Sequence, residues 1–406
     1  MFSVHHQEGA VKAKMTSNSY YIYDESEIIR SCHALRQSLE EFDFLYSIKA
    51  NPFLPVLEVI AGQGFGADAA SLQEVDQSLE AGIRAEDIYY SAPGKTESDI
   101  AESIGKCILI ADSLHELEMI QAVATQRDIH LSAGFRIHPD FGIGRAKAGP
   151  SKFGIDIEQI DALKSVLQKC PNISPVGIHV HLKSQILNAD VIADYYRNVM
   201  NLALRLKDEL HMEMQFINFG SGIGIAYDPD KQEPVDLLLL HDAVKEVRCM
   251  KRDLGARLLI ETGRYVMCHA GKYILPVIDK KISHGETYLI VPNGLNGFLR
   301  PAFALMLENA AGIDLPVMEP LYTCRNEVQL RVLNETKEQE TVTVAGNLCT
   351  ALDVIAESVT MNRAEIGDLI EVSNAGSYAY SLSPLGFGGH EPPAQYLRLG
   401  DGSIVK

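Results

Sequence analysis

Apolar positions along the chain gather into short β-rich runs at 43–48, 64–67, 87–91, 106–111, 130–137, 175–181, 214–219 and 256–260, each the length of one strand. Most of the gaps switch to the period of an amphipathic helix, as in LPVLEVIAGQ after the first run, LQEVDQSLEAG after the second and ADYYRNVMNLALRLKDEL after the sixth. Eight strands alternating with helices predict a (β/α)8 barrel. Beyond about residue 262 the texture changes to GKYILPVID, TYLIVPN, VQLRVLN, ETVTVAG, DLIEVSNAG and YLRLG, with no long helical pattern between them. These predict a C-terminal antiparallel β domain, and the run YYIYD (20–24) is expected to pair with it. The expected division is a barrel over 25–261 and a β-rich domain made of 1–24 and 262–406.

Length agrees, since 406 residues at roughly 100–200 per domain accommodate a barrel and a smaller partner. With 46% hydrophobic and 22% charged residues, the chain can bury a core, and extended disorder is excluded. A net charge of −18 disfavours nucleic acid or an anionic membrane as partner, so any anion site must be local. Seven scattered cysteines with no C-x-x-C pair argue against a disulfide framework and fit a reducing, cytoplasmic setting. The N-terminal residues lack the apolar core of a signal peptide, and no run reaches the ~18 apolar residues of a membrane helix.

In such barrels the working residues stand at the C-terminal ends of the strands. Those ends carry Lys49, Asp68, Arg136, His181, Gly220 and Glu261. A free lysine amine, with a pKa of about 10.4, stays protonated in water, and partial desolvation at a rim would let Lys49 act as a Schiff-base nucleophile. By itself it reads equally as a lysine snorkelling from a strand end. Gly220, Gly222 and Gly224 in NFGSGIGIAYD allow close approach of backbone N–H groups to an anion, or simply make a turn. Glu261 and Arg264 in ETGR pair a carboxylate with a guanidinium able to clamp a phosphate, or form a rim ion pair. His179 and His181 share a strand face, but no third ligand follows at metal-site spacing, and no metal is expected. Cys349 reads as a structural thiol or an acid, Tyr378 as a packed aromatic or a ligand.

Taken in order, YSIKAN, GADAAS, RIHP, SKFGI, GIHVHLKS, FGSGIG, ETGR, LRPA, GNLCTALD and NAGSYAY resemble the motif series of the fold-type III pyridoxal-phosphate decarboxylases, the diaminopimelate and ornithine decarboxylase group. The resemblance runs from about Tyr21 to Tyr396. It implies an alanine-racemase-like barrel with a β domain, pyridoxal 5'-phosphate as cofactor, and a homodimer with shared active sites. By the same resemblance Lys49 carries the cofactor as a Schiff base and His181 stacks on its ring. Ser184, the loop Gly220, Ser221, Gly222 and Gly224, together with Gly263, Arg264 and Tyr378, hold the phosphate. Asp68 and Arg136 line the cofactor site, and Glu261 pairs with the pyridine nitrogen. Cys349 is implied as the proton donor, reaching in from the other subunit, with Arg300, Thr350 and Tyr378 near the substrate.

A carboxylate beside the pyridine nitrogen keeps it protonated and favours decarboxylation, whereas the related alanine racemases place an arginine there. Three positions depart from the pattern: Ser221 and Lys183 stand in for glycine, and Thr262 for proline. More telling is Thr350, where ornithine and diaminopimelate decarboxylases carry the acid that holds a distal ammonium. A neutral hydroxyl cannot neutralise that charge. The Cys-Thr pair is similar to decarboxylases of secondary metabolism, some acting on a glutamyl group on an acyl carrier protein, others in siderophore assembly. The expected activity is α-decarboxylation of a modified, conjugated or carrier-bound amino acid without a distal amine. The alternatives are diaminopimelate decarboxylation, amino-acid racemisation, or an inactive homologue that merely binds the cofactor, although Lys49 and Cys349 are both retained.

Overall fold

The structure, a computed structural model, describes residues 18–144, 146–220, 222–311 and 328–406. They form two compact units: Ile29–Ala226 with Glu233–Tyr265, and the described residues up to Ile28 with Tyr227–Gln232 and Val266–Lys406.

The first strand, β1 (Tyr20–Asp24), belongs to the second unit. The first unit then lays down β2 (Phe42–Ser47), β3 (Gly66–Ala69), β4 (Ile88–Tyr90), β5 (Ile108–Ala111), β6 (Leu131–His138), β7 (Ile155–Asp156), β8 (Ile173–His179), β9 (Phe216–Asn218) and β10 (Arg257–Thr262). All but β7 pair in parallel around a closed ring, β2-β3-β4-β5-β6-β8-β9-β10 and back to β2, while β7 adds to β6 from outside. This is the (β/α)8 barrel that the periodicity predicts. Two strands sit two residues from their expected places, at 66–69 and 173–179. Asp68 therefore lies within its strand rather than after it, and His181 stands two residues beyond its strand, while β10 runs two residues past its expected end and takes in Glu261.

Local chemistry starts the barrel helices. The Ser71, Ser113 and Asn188 side chains each accept a hydrogen bond from the backbone N–H three residues on, and Thr96 with Asp99 closes a full capping box. The barrel interior is a packed core of Leu45, Tyr89, Ile110, Val176, Phe216 and Leu259. Phe216 at its centre needs two glycines: a Cβ on Gly134 or Gly177 would come within 2.7 Å of the Phe216 ring, which meets Tyr89 edge to face at 5.0 Å. Burying each such side chain contributes about 1.5–3 kcal/mol.

The second unit holds β11 (Gly271–Pro276), β12 (Asp279–Ser283), β13 (Glu286–Val291), β14 (Leu330–Val332), β15 (Gln339–Gly346), β16 (Val354–Asn362), β17 (Leu369–Val372), β18 (Ala394–Arg398) and β19 (Ile404–Val405). One sheet runs β14-β17-β11-β1-β18-β19, the other β12-β13-β15-β16. The N-terminal run joins this unit as expected, antiparallel to β11 and parallel to β18. Pairing is antiparallel elsewhere except between β13 and β15. A helix over Leu299–Ala311 corrects the expectation of an all-strand texture, with Pro301 in its first turn where its missing N–H is harmless. Tyr21 stacks on Tyr273 at 4.4 Å, and their hydroxyls donate to the Gly297 and Asn293 carbonyls, so this core is aromatic and fully hydrogen-bonded at its polar tips. Among the described residues no helix is long and apolar enough to cross a membrane, and no group of three His, Cys, Asp or Glu is placed to hold a metal.

Candidate active site

Lys49 sits on a short helical turn, Ile48–Ala50, directly after β2. Its side chain is 46% exposed, and Nζ donates at 2.8 Å to Oδ2 of Asp68, which is buried on β3. The other carboxylate oxygen, Oδ1, accepts from Ser91 Oγ at 2.7 Å. Ser91 follows β4, so three consecutive strands supply the lysine, its carboxylate and the hydroxyl that fixes the carboxylate. Behind them lies Glu74, whose Oε2 accepts from Ala70 N at 2.7 Å. Burial pushes the Glu74 carboxyl up to about 7, against the opposing pull of that N–H and of Lys49.

Glu261, buried on β10, faces two partners from neighbouring strands. Asn218 Nδ2 donates to its Oε1 at 2.9 Å, and His179 Nε2 lies 3.2 Å from the same oxygen. His179 and Asn218 are register partners on β8 and β9, and the parallel pairing of β10 with β9 brings Glu261 to them. Burial alone would raise the Glu261 carboxyl. His179, with Lys49 and His181 adding charge, holds it well below the ordinary range instead.

Asn218 also accepts from Gly220 N at 2.8 Å, which starts the glycine turn. Gly220 has left-handed backbone (φ 65°), and a Cβ there would fall 2.6 Å from both Cβ and Nδ1 of His181. Glycine is thus required twice, by backbone and by space. Across from the turn, Ile186 N donates to Gly222 O and Gly224 N to Ile186 O, so the Ser184 segment and the glycine segment form one cradle. Ser221 lies outside the described residues. Lys183 is exposed, and the left-handed residue of its segment is Gln185 (φ 60°), so replacing glycine with lysine at 183 introduces no left-handed strain. Arg264 is buried at the start of a short helix after β10. Gly263 packs where a Cβ would come within 2.7 Å of Ala50, beside the Lys49 turn.

Arg136, on β6, spreads its guanidinium over the Phe153 ring at 4.4 Å and lies 3.7 Å from Asp112, just after β5. Asp112 also accepts from Gly154 N at 3.1 Å, which ties the SKFGI loop to the barrel. Its backbone N–H donates to Glu116, whose other oxygen takes the buried Lys95 ammonium at 2.7 Å. Sequence reasoning missed Ser91, Asn218, Asp112, Lys95 and Glu116, and left His179 without a role. Ser91, Asp112 and Asn218 were discoverable by position, each standing at or just after a strand end.

Cys349, Thr350, Arg300 and Tyr378 belong to the β unit. Cys349 is exposed and Thr350 half-buried in the turn between β15 and β16. That turn is pinned by Asp353, which accepts from the Leu348 and Leu295 backbone N–H groups. Arg300 is fully buried, donating to the Tyr227 hydroxyl at 3.0 Å and to the Asn374 carbonyl, with the Phe298 ring 5.1 Å away. Tyr378 is buried, with left-handed backbone (φ 51°).

A rim lysine on a buried carboxylate, a glycine cradle and a buried, ionised glutamate on one closed barrel are the parts of a barrel enzyme that works through a Schiff base. The family described as the pyridoxal-dependent decarboxylases, pyridoxal binding domain, matches residues 25–268. The chain belongs to this family, and it is a carboxy-lyase. Over 397 residues it is 30% identical to the L-glutamyl-[BtrI acyl-carrier protein] decarboxylase of Niallia circulans, covering 95% of this chain and 90% of that one. It is 28% identical to the diaminopimelate decarboxylase of Archaeoglobus fulgidus, with 95% and 89% covered. In fold it is similar to the crystal structure of Helicobacter pylori diaminopimelate decarboxylase complexed with L-lysine, with a TM-score of 0.80, 22% identity, and 98% and 95% of the two chains covered.

Proposed function

We propose that this enzyme removes the α-carboxylate of an amino acid held as a conjugate or on an acyl carrier protein, with a tail that lacks a distal ammonium, in natural-product or siderophore assembly. The observation that carries this reading is Thr350, a neutral side chain next to Cys349 where an acid would be needed to balance an ammonium. Similarity to a decarboxylase of a carrier-bound glutamyl group supports it.

Pyridoxal 5'-phosphate fits the residues present. The glycine turn leaves space at Gly222, where a Cβ would meet nothing nearer than the Tyr196 hydroxyl at 3.8 Å, Lys49 offers a half-exposed amine, and the Glu261 carboxyl is held well below its ordinary range without any ligand. When bound, the cofactor supplies the electron sink for the pair released as carbon dioxide leaves. Lys49 would hold its aldehyde end, with Asp68 orienting the amine and Ser91 fixing Asp68. Ser184, the glycine turn and Arg264 would hold the phosphate. Glu261, aimed by His179 and Asn218, would favour a protonated ring nitrogen. His181, with Gly220 packed against its imidazole, would help to hold the ring. Cys349, from the second chain of a homodimer, would be the proton donor to the substrate carbon.

Carbon dioxide release tests the reading. Turnover of a carrier-bound or amide-linked glutamyl substrate, with meso-diaminopimelate, ornithine and lysine left untouched, is the expected result. Efficient turnover of any of those three would overturn the tail assignment and favour the second reading, a diaminopimelate decarboxylase, which rests on relatives such as the Archaeoglobus fulgidus enzyme.

A further inference from the structure

The cradle contains one side chain to which neither the motifs nor the mechanism gives a role. Gln185 is buried at the turn between Ser184 and Ile186, in a left-handed conformation (φ 60°) that glycine adopts far more readily. Its side chain grips one residue at both polar atoms: Oε1 accepts from Ile225 N at 3.1 Å, and Nε2 donates to Ile225 O at 2.6 Å. Next to this clamp, Ile186 N donates to Gly222 O at 2.8 Å and Gly224 N to Ile186 O at 3.0 Å, with Ile186 and Ile223 paired as a parallel bridge. Gly224 is pressed against the clamp, since a Cβ there would sit 2.9 Å from Gln185 Cα and 3.0 Å from Oε1.

Four hydrogen bonds therefore join two segments that are far apart in sequence, and two of the four come from one carboxamide. A phosphate held by a hydroxyl on one segment and N–H groups on the other is gripped only as well as the segments are held in register. A glycine at 185 would take the backbone conformation without strain yet could make neither side-chain bond. Keeping glutamine there retains the clamp in spite of the strained backbone.

We propose that Gln185 is a positioning residue for the phosphate cradle, fixing the spacing between Ser184 and the Gly222–Ile225 segment and so setting the preference for a phosphorylated cofactor over the same ring without phosphate. This rests on the cofactor placement given under Proposed function.

The test uses the full-length protein stripped of cofactor, titrated at equilibrium with pyridoxal 5'-phosphate and, separately, with pyridoxal, for wild type, Gln185→Gly and Gln185→Ala. With two hydrogen bonds lost, the affinity ratio between the two ligands should fall roughly tenfold or more in both variants, with pyridoxal affinity nearly unchanged. A folded Gln185→Gly protein that keeps the wild-type ratio overturns the proposal, as does a parallel loss for both ligands. In the unmodified protein, the phosphorylated ligand alone should slow amide exchange at Ile186, Gly224 and Ile225, and equal slowing by pyridoxal overturns the proposal even if the variants fail to fold. A wild-type protein that shows no preference for the phosphate ester would instead refute the cofactor placement itself, and the proposal with it.

Discussion

His179 Nε2 and Glu261 Oε1 lie 3.2 Å apart inside the barrel, both nearly inaccessible to water. The Glu261 carboxyl is held well below the ordinary range before any ligand arrives, by His179 with Lys49 and His181, so the lowering is a property of the fold. A buried acid so held binds fewer protons folded than unfolded once the pH falls below the ordinary carboxylate range.

That difference fixes the sign of the first prediction. Stability contributed by Glu261 is complete above about pH 4.5 and is lost as the pH falls toward its lowered folded-state pKa. Wild-type apoprotein should therefore lose up to about 1.4 kcal/mol more per pH unit than Glu261→Gln below that point. Urea midpoints at several pH values between 6 and 3 measure it, and parallel curves for the two proteins would contradict the lowered pKa.

Glu74 has the opposite sign. Its carboxyl is raised from 4.5 to about 7, so the folded state binds the extra proton, and stability falls as the pH rises through that window. Glu74→Gln keeps an oxygen for the Ala70 N–H and removes the titration. The variant should match wild type near pH 5 and exceed it by on the order of 1–3 kcal/mol at pH 8. Thermal melts at both pH values decide it.

Gly220→Ala should be damaging out of proportion to one methyl group. The new Cβ would meet His181 at 2.6 Å on backbone that is already left-handed. Overpacking of this kind costs about 1–3 kcal/mol. The displaced imidazole should also weaken uptake of pyridoxal 5'-phosphate, which an equilibrium titration reads. A variant with wild-type stability and uptake would show that His181 has room to move.

The barrel was legible because its strands are buried on both faces, leaving apolar runs separated by helical patterns. Strand ends were less so: Val180 extends the apolar run past His179, which moved His181 onto a strand it does not occupy. The helix over Leu299–Ala311 did not stand out, because Pro301 falls in its first turn, where its missing N–H costs nothing but interrupts a helical pattern. Lys49, Asp68 and Glu261 stood out as chemistry at strand ends. Their supports did not, because Ser91, His179 and Asn218 come from other strands and meet those groups only when neighbouring strands pair.

Chain mixing tests whether the active sites are shared. Lys49→Ala and Cys349→Ala chains, each inactive alone, should regain part of the wild-type turnover when co-refolded, because a hybrid dimer pairs one intact lysine with one intact thiol. Cys349→Ala alone should retain the visible absorbance of the bound cofactor, and Lys49→Ala should lose it. No recovery, despite chain exchange shown by native mass spectrometry, would place both groups in the same chain's site.

The proposed substrate choice rests on Thr350, and the swap that tests it is Thr350→Glu. In the wild type its Oγ1 accepts from the Leu352 backbone N–H at 3.3 Å, a local turn contact of a neutral side chain, so position 350 itself supplies no negative charge. A distal ammonium brought there would be desolvated without a partner, a penalty of several kcal/mol. Glutamate restores the partner and at the same time sets a like charge against an acidic tail, so the change should work in both directions. Thr350→Glu should gain measurable decarboxylation of diaminopimelate or lysine and lose at least tenfold in kcat/KM on a glutamyl conjugate, a shift of about 1.4 kcal/mol. The Asp353 bonds to the Leu348 and Leu295 N–H groups pin the turn independently of residue 350, so the loop should survive the substitution. Unchanged rates on both substrate classes, in a variant that still takes up cofactor, would remove Thr350 from the specificity of the site.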